Sequence, residues 1–266
     1  MMRALWTAAS GMTAQQMNVD VISNNLSNVN TTAYKKERVE FKDLLYETMA
    51  RARVIDGQGK PVNLQVGHGT AAVATVKNFE TGSPEQTDNP LDFFIDGEAF
   101  FMVQGPKGDI NFTRDGSFKL SITDGGNMLT TSEGFPVLDD TGNPIIITVD
   151  LSRLIVSQEG ELSYKDEDGI TVPLGQRIGL VKFENRNGLE SLGKNLYASN
   201  EATGDPIPDA ESGTLSLIDQ GFLESSNVQT VEEMVKLIVA QRAYELNSKA
   251  IQSSDEMLGI ANNLRR

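Results

Sequence analysis

Cysteine is absent from the 266 residues. That excludes disulfides and thiolate–metal sites and leaves the compartment open. Histidine occurs once, as His68 between Gly67 and Gly69. A metal site or a catalytic base needs partners, none is signalled nearby, and the residue reads as part of a turn. No apolar run reaches the length of a membrane span, so no membrane insertion is expected. After Arg3 the apolar stretch is interrupted by Thr7, Ser10 and Thr13, so no cleaved signal peptide is expected either. Basic residues are few: 23 Lys and Arg face 37 Asp and Glu, for a net charge of −14. This balance argues against nucleic acid and against anionic membrane surfaces as partners.

A second scarcity lies at the start of the chain. From Ala4 to Ala33 the only charged residue is Asp20. Leu5, Ala8, Met12, Val19, Ile22, Leu26 and Val29 recur at alternating three- and four-residue spacings, with Gln15 in the one polar slot. Such a seam is the stripe a helix shows to a partner helix. The other faces carry Ser, Thr, Gln and Asn, including Asn18, Asn24, Asn25, Asn28 and Asn30. A solvated helix of this length would carry Lys and Glu, whereas uncharged hydrogen-bonding faces suit a helix enclosed by protein on several sides. An ordinary amphipathic core helix is the plainer alternative.

The far end mirrors the start. Residues 227–264 carry one seam of Leu237, Gln241, Tyr244, Ser248, Ile251 and Leu258. A second holds Leu246, Ala250, Met257, Ile260 and Leu264. Thr230 with Glu233 is a capping-box signature, and Glu232–Lys236 and Glu245–Lys249 are i,i+4 pairs. Neither helix can bury its seam alone, so the two are expected to pack on each other.

Between the ends, residues 37–53 read as a second, short helix with Phe41, Leu44, Leu45, Thr48 and Ala52 on one face. Gly57, Gly59, Pro61, Gly67 and Gly69 then mark a breaker-rich linker. From Thr70 to about Gly221, short β-branched and aromatic runs alternate with turn pairs such as Asp96-Gly97 and Asp115-Gly116, the texture of an all-β domain. The expected fold class is α+β: long N- and C-terminal helices paired as a coiled-coil-like inner domain, with an inserted all-β middle domain. The expected boundaries are 1–45 and 222–266 for the helical part, 46–69 for the linker or hinge, and 70–221 for the β part.

Candidate chemistry is thin. Asp140-Thr141-Gly142 matches an aspartic-protease triplet, but only one copy exists and it reads as a hairpin turn. Lys165–Gly169 lacks the Glu that a calcium loop needs, and Gly57–Lys60 lacks phosphate-loop spacing. Glycoside hydrolysis needs two placed carboxylates, and no acid stands in an apolar pocket pattern. No catalytic residue, metal ligand or cofactor is expected, and an enzyme is not the favoured reading. A periplasmic enzyme acting on glycan is the alternative from another class.

Whole motifs at both ends are similar to those of the bacterial flagellar rod and hook family. Ile22–Thr31 (ISNNLSNVNT) resembles its rod motif. Ser226-Asn227-Val228 and Gln241–Asn247 (QRAYELN) resemble its C-terminal helix. IDGEAFFMV, FTRDGSFKL, LTTSEGFPVL and NGLESLGKNLY resemble its β domain. The length and the segment YETMARARVIDGQGKPVNLQVGHG are closest to the distal-rod branch, with proximal rod or hook subunits as the alternative.

The resemblance implies a structural subunit that polymerises into a rigid hollow helical tube and transmits torque from motor to hook. It implies self-association, and proximal rod proteins, the hook protein and, where present, the P- and L-ring bushing as neighbours. It also implies passage through the flagellar type III export apparatus to the periplasmic basal body. Phe41, Leu44 and Leu45 resemble the export-gate motif. The expected subunit-interface residues are Leu5, Met12, Gln15, Val19, Ile22, Asn25, Leu26, Asn28 and Val29 at the start. At the finish they are Val235, Ile238, Arg242, Tyr244, Leu246, Asn247, Ile251, Met257 and Leu258.

Overall fold

A computed structural model describes residues 2–50, 54–55, 58–59, 63–106, 108–123, 126–166, 170–211 and 215–263. The charge-poor start forms helix α1, Met2–Ser27, and the end forms helix α2, Thr230–Asn263. Between them the described residues are mostly strand, so the class is α+β. Helix α1 stops before the expected Ala33. Thr31 donates from its N–H to the Asn28 carbonyl and from its hydroxyl to Asn28 Oδ1, and Ala33 has φ 54°. The local side-chain bond gives the backbone an alternative to continuing the helix. The chain divides into a unit of residues 1–27, 37–77 and 229–266 and a unit of residues 28–36 and 78–228.

In the first unit the described part of the helix expected over 37–53, residues 37–50, is instead mostly strand, and residues 51–53, with Ala52 of the expected face, lie outside the described residues. Glu37–Asp43 pairs antiparallel with Thr70–Lys77, Tyr46–Ala50 with Leu64–Gly67, and Val54–Ile55 with Gln58–Gly59. The three pairings follow one another along the same antiparallel path, with register shifts at Glu40/Phe41 and Thr48/Ala50, so the described residues of 37–77 form a hairpin ribbon that includes described parts of the expected linker. Phe41, Leu44 and Leu45 fit a helical spacing locally. A β-branched partner strand, Thr70–Lys77, decides against it, because strand stability resides in cross-strand pairs. Glu37 and Lys77, opposite each other in that register, form an ion pair.

The ribbon runs beside α1. Asn25 bonds Glu37, the Ser10 hydroxyl accepts the Thr70 N–H at 3.4 Å, and Arg3 pairs with Glu47. Gly69, at φ +111°, passes so close to Ser10 that a Cβ would stand 2.1 Å from its Oγ. Only glycine fits there. His68 is exposed. Helix α2 lies antiparallel to α1: Gly11 meets Asn247, and Asn25 meets Glu233. The expected i,i+4 pairs on α2 give way to i,i+3 pairs, Glu233–Lys236 and Arg242–Glu245.

The second unit centres on a sheet ordered 190–193, 196–198, 110–113, 100–104, 180–182, 207–208. Its faces are filled on both sides because adjacent residues point opposite ways. Phe101 and Val103 join Phe93, Phe118, Leu129 and Ile147 on one face, while Phe100 and Phe112 join Phe79, Phe183 and Tyr197 on the other. Asp139–Asn143 is a turn: Asp139 Oδ1 accepts from the N–H groups of Thr141 and Asn143 and from the Thr141 hydroxyl. The triplet at 140–142 therefore serves a loop. Of the would-be calcium loop, residues 167–169 lie outside the described residues, as do residues 57 and 60 of the Gly57–Lys60 motif.

A buried charge cluster ties this unit together. Glu224, Lys35 and Arg114 are each 1% exposed. Glu224 accepts from Lys35 Nζ at 2.5 Å, from Arg114 Nε at 3.0 Å and from the Gly82 N–H at 2.7 Å. Lys35 also donates to the Glu80 carbonyl at 2.7 Å, and Arg114 to the carbonyls of Ile95 and Gly97. Burial, reinforced by the Arg114 guanidinium and opposed by Glu224, lowers the Lys35 ammonium from 10.5 to about 8.

Removing the carboxylate leaves two buried cations without their counter-ion, whereas removing Lys35 leaves a neutral Arg–Glu pair. Glu224→Gln is therefore expected to destabilise the β unit by about 3–5 kcal/mol, and Lys35→Met by less. Urea unfolding of the full chain followed by circular dichroism ranks them, and the reverse order refutes the account. Because the folded state holds the Lys35 proton less tightly than the unfolded state, wild type gains stability relative to Lys35→Met as pH rises from about 8 towards 10.5.

Candidate functional site

Among the described residues no group of three or more His, Asp or Glu side chains is placed to hold a metal ion. No helix among them is long and apolar enough to cross a membrane. The distinctive chemistry lies on the surface of the helical unit.

Helix α2 has two apolar faces. One holds Glu233, Leu237, Ala240, Asn247, Ile251, Ser254 and Leu258, all buried or half-buried against the rest of the unit. On the opposite face Val231, Val235, Val239, Leu246 and Ile260 are 56–76% exposed. At 100° per residue these positions fall within one quarter of the helix circumference, joined by Arg242 and Met257. An amphipathic helix in a finished fold would be polar here.

The expected interface residues divide accordingly. Val235, Ile238, Arg242, Tyr244, Leu246 and Met257 are exposed, while Asn247, Ile251 and Leu258 are half-buried. On α1, Leu5, Met12, Gln15, Val19 and Leu26 are half-buried. Asn28 and Val29 are also half-buried and belong to the β unit. Ile22 and Asn25 are buried within the chain.

Asn25 mimics a strand neighbour: its Nδ2 donates to the Glu37 carbonyl at 2.8 Å and its Oδ1 accepts the Glu37 N–H at 2.9 Å. Its Nδ2 also reaches Glu233 Oε2 at 3.2 Å, and Glu233 Oε1 takes Lys236 at 2.7 Å. The Thr230–Glu233 signature thus marks a carboxylate engaged across the two helices. Val231, Val239 and Ile260, and Trp6 at 72% exposure, complete the outward apolar set. Their spacing was visible in the sequence, but spacing does not say which of two apolar faces stays open. Phe41, Leu44 and Leu45 are 39%, 40% and 86% exposed on the ribbon, near Tyr46, Met49 and Leu64 at 55–59%.

Charge is segregated between the units. Residues 1–27, 37–77 and 229–266 hold 12 basic and 11 acidic side chains, a net +1. Residues 28–36 and 78–228 hold 11 basic and 26 acidic side chains, a net −15. The unit with open apolar faces is thus the one whose net charge is near zero.

Three family descriptions match along the chain: "Flagella basal body rod protein" at residues 5–35, "Flagellar hook protein FlgE/F/G D1 domain" at 94–164, and "Flagellar basal body rod FlgEFG protein C-terminal" at 219–264. Together with the open helical surface they define a structural protein of the flagellar axis, a class that is not enzymatic. The flagellar basal-body rod protein FlgG of Borreliella burgdorferi is 48% identical over 272 residues, covering 100% of both chains. The FlgG proteins of Buchnera aphidicola subsp. Schizaphis graminum and Caulobacter vibrioides are each 41% identical, over 97% and 99% of this chain and 98% and 100% of theirs. The chain belongs to the FlgG family of flagellar basal-body rod proteins.

A carboxylate at position 25 would lose the donor to Glu37 and face Glu233. Asn25→Asp is therefore expected to lower the thermal midpoint of helix loss more than Asn25→Ala, which forfeits about 1–3 kcal/mol of buried bonding. Adding Glu233→Gln should restore much of the Asp variant's loss. Far-UV circular dichroism melts check this, and an Asp variant indistinguishable from Ala refutes the clasp.

Proposed function

We propose that the chain is a distal-rod subunit that polymerises into a rigid, hollow helical tube and transmits torque from motor to hook. The observation that carries this is the outward apolar face of α2, opposite the face that packs within the chain. Each exposed Val, Leu or Ile is worth about 1.5–3 kcal/mol when buried, and a neighbouring copy supplies the missing cover. Contacts between unlike faces repeat without closing and yield an open helical assembly. In this reading α1 and α2 pair as a coiled-coil-like lining of the tube. The exposed ribbon adds a further contact between copies.

Proximal rod proteins, the hook protein and, where present, the P- and L-ring bushing are the proposed neighbours, in the periplasm. The chain is proposed to leave the cytoplasm through the flagellar type III export apparatus without a cleaved signal. The exposure of Phe41, Leu44 and Leu45 supports their reading as the segment read by the export gate.

Leu246→Asp places a charge on the outward face of α2. It is expected to abolish tubes seen by electron microscopy of the concentrated protein while leaving the urea midpoint of the β unit unchanged. Straight tubes from this variant would refute the assignment of that face. Because the net charge sits on the β unit, like-charge repulsion should oppose association. Raising salt from about 10 mM to about 150 mM shortens the screening length from about 30 to about 8 Å. The concentration needed for sedimentable polymer should fall accordingly. A rise would mean that ion pairs, not apolar burial, hold the subunits.

A further inference from the structure

The chain passes into the β unit at residue 28, out after 36, in again at 78 and out after 228. Three of these four passages meet at one side chain. Asn227 Oδ1 accepts the Lys36 N–H at 2.8 Å, and its Nδ2 donates to the carbonyls of Asn78 at 2.8 Å and Glu80 at 3.2 Å. The Asn227 N–H reaches the Tyr34 carbonyl at 3.4 Å, and the Asn78 N–H closes the ring onto the Lys36 carbonyl at 2.9 Å. Just inside, the Ala33 N–H donates to the Glu224 carbonyl at 2.8 Å, and Lys35 bridges Glu80 and the Glu224 carboxylate. A carboxamide offers one acceptor and two donors in one plane. Aspartate retains only the acceptor, and alanine retains neither.

We propose that Asn227 is a load clamp, a positioning residue that holds three chain passages together at the rim of the β unit. Force arriving along one passage is then shared by all three. Single hydrogen bonds have a small net worth, about 0.5–1.5 kcal/mol. Loaded one after another they peel apart; held in parallel they must fail together. The bonds run between passages, so each passage is braced by the other two. The mechanical part of this proposal rests on the rod reading; the clamp itself does not.

The test has two arms on the full chain. In solution, hydrogen exchange of the Lys36 amide in Asn227→Ala is expected to quicken by about tenfold, roughly the equilibrium change for one lost bond. In Asn227→Asp, which keeps the acceptor, it should stay protected. Unchanged exchange in the alanine variant overturns the clamp whatever the protein does.

In cells, this chain replaces the rod subunit of a motile strain. Both variants are expected to swim at wild-type speed in buffer and to lose motility in viscous medium, where load is high. Quickened exchange with wild-type swimming under load overturns the mechanical role and leaves the rod reading intact. A strain that swims in buffer with the subunit deleted and not replaced overturns the rod reading itself.

Discussion

Helix α2 is apolar on two opposite faces, and one chain can cover only one of them. The inward face is closed by α1, through the clasp of Asn25 on Glu233 and the close approach of Gly11 to Asn247. The outward face carries Val231, Val235, Val239 and Leu246 in solvent. Leaving these uncovered is costly on the scale of a whole domain's stability, which is typically only about 5–15 kcal/mol. The same unit is close to neutral in net charge, so copies of it brought together meet little net repulsion. The net negative charge resides instead on the unit whose strands close their own core. Solubility before assembly and adhesion within it are thereby assigned to different parts of one chain.

How much of this was legible in the sequence depends on how far each signal had to reach. The helices were legible because a 3.6-residue period sustained over 26 and 34 residues is a local property. The ribbon was not. Phe41, Leu44 and Leu45 satisfy a helical spacing, and only pairing with residues some 30 positions on excludes it. Asn25 is the sharpest case. An amide on an uncharged helix face reads as a polar contact between copies. Within the chain it bonds Glu37 and Glu233, 12 and 208 residues away and not marked in the sequence as a pair. On α2 the residue types of the inner and outer faces are alike, so the sequence shows two faces and the fold shows which one is open.

The Lys35–Glu224–Arg114 cluster raises a different issue, because well-packed apolar residues often match or exceed a buried ion pair in stability. What they lack is an address. Each bond in the cluster names one atom on one segment: the Glu80 carbonyl, the Gly82 N–H, the carbonyls of Ile95 and Gly97. Five segments, around residues 35, 80–82, 95–97, 114 and 224, are thus held in a single register. An apolar patch would allow residues 33–36 to slide by a position, and in an extended segment a slip of one residue turns every side chain to the other face.

That register explains the form of the ISNNLSNVNT motif. It straddles the end of α1 at Ser27, so its first half and its second half serve different units. Asn25 locks α1 to the ribbon and to α2, and Ile22 is buried close by in sequence. Beyond Asn28 the chain turns and becomes the strap that carries Ala33 and Lys35 to Glu224. A motif that only lined a helix seam would repeat at three and four residues and stop with the helix. This one runs on because the same ten residues must end a helix, change units and set the entry of a buried lysine. The helix seam alone therefore accounts for only half of its length.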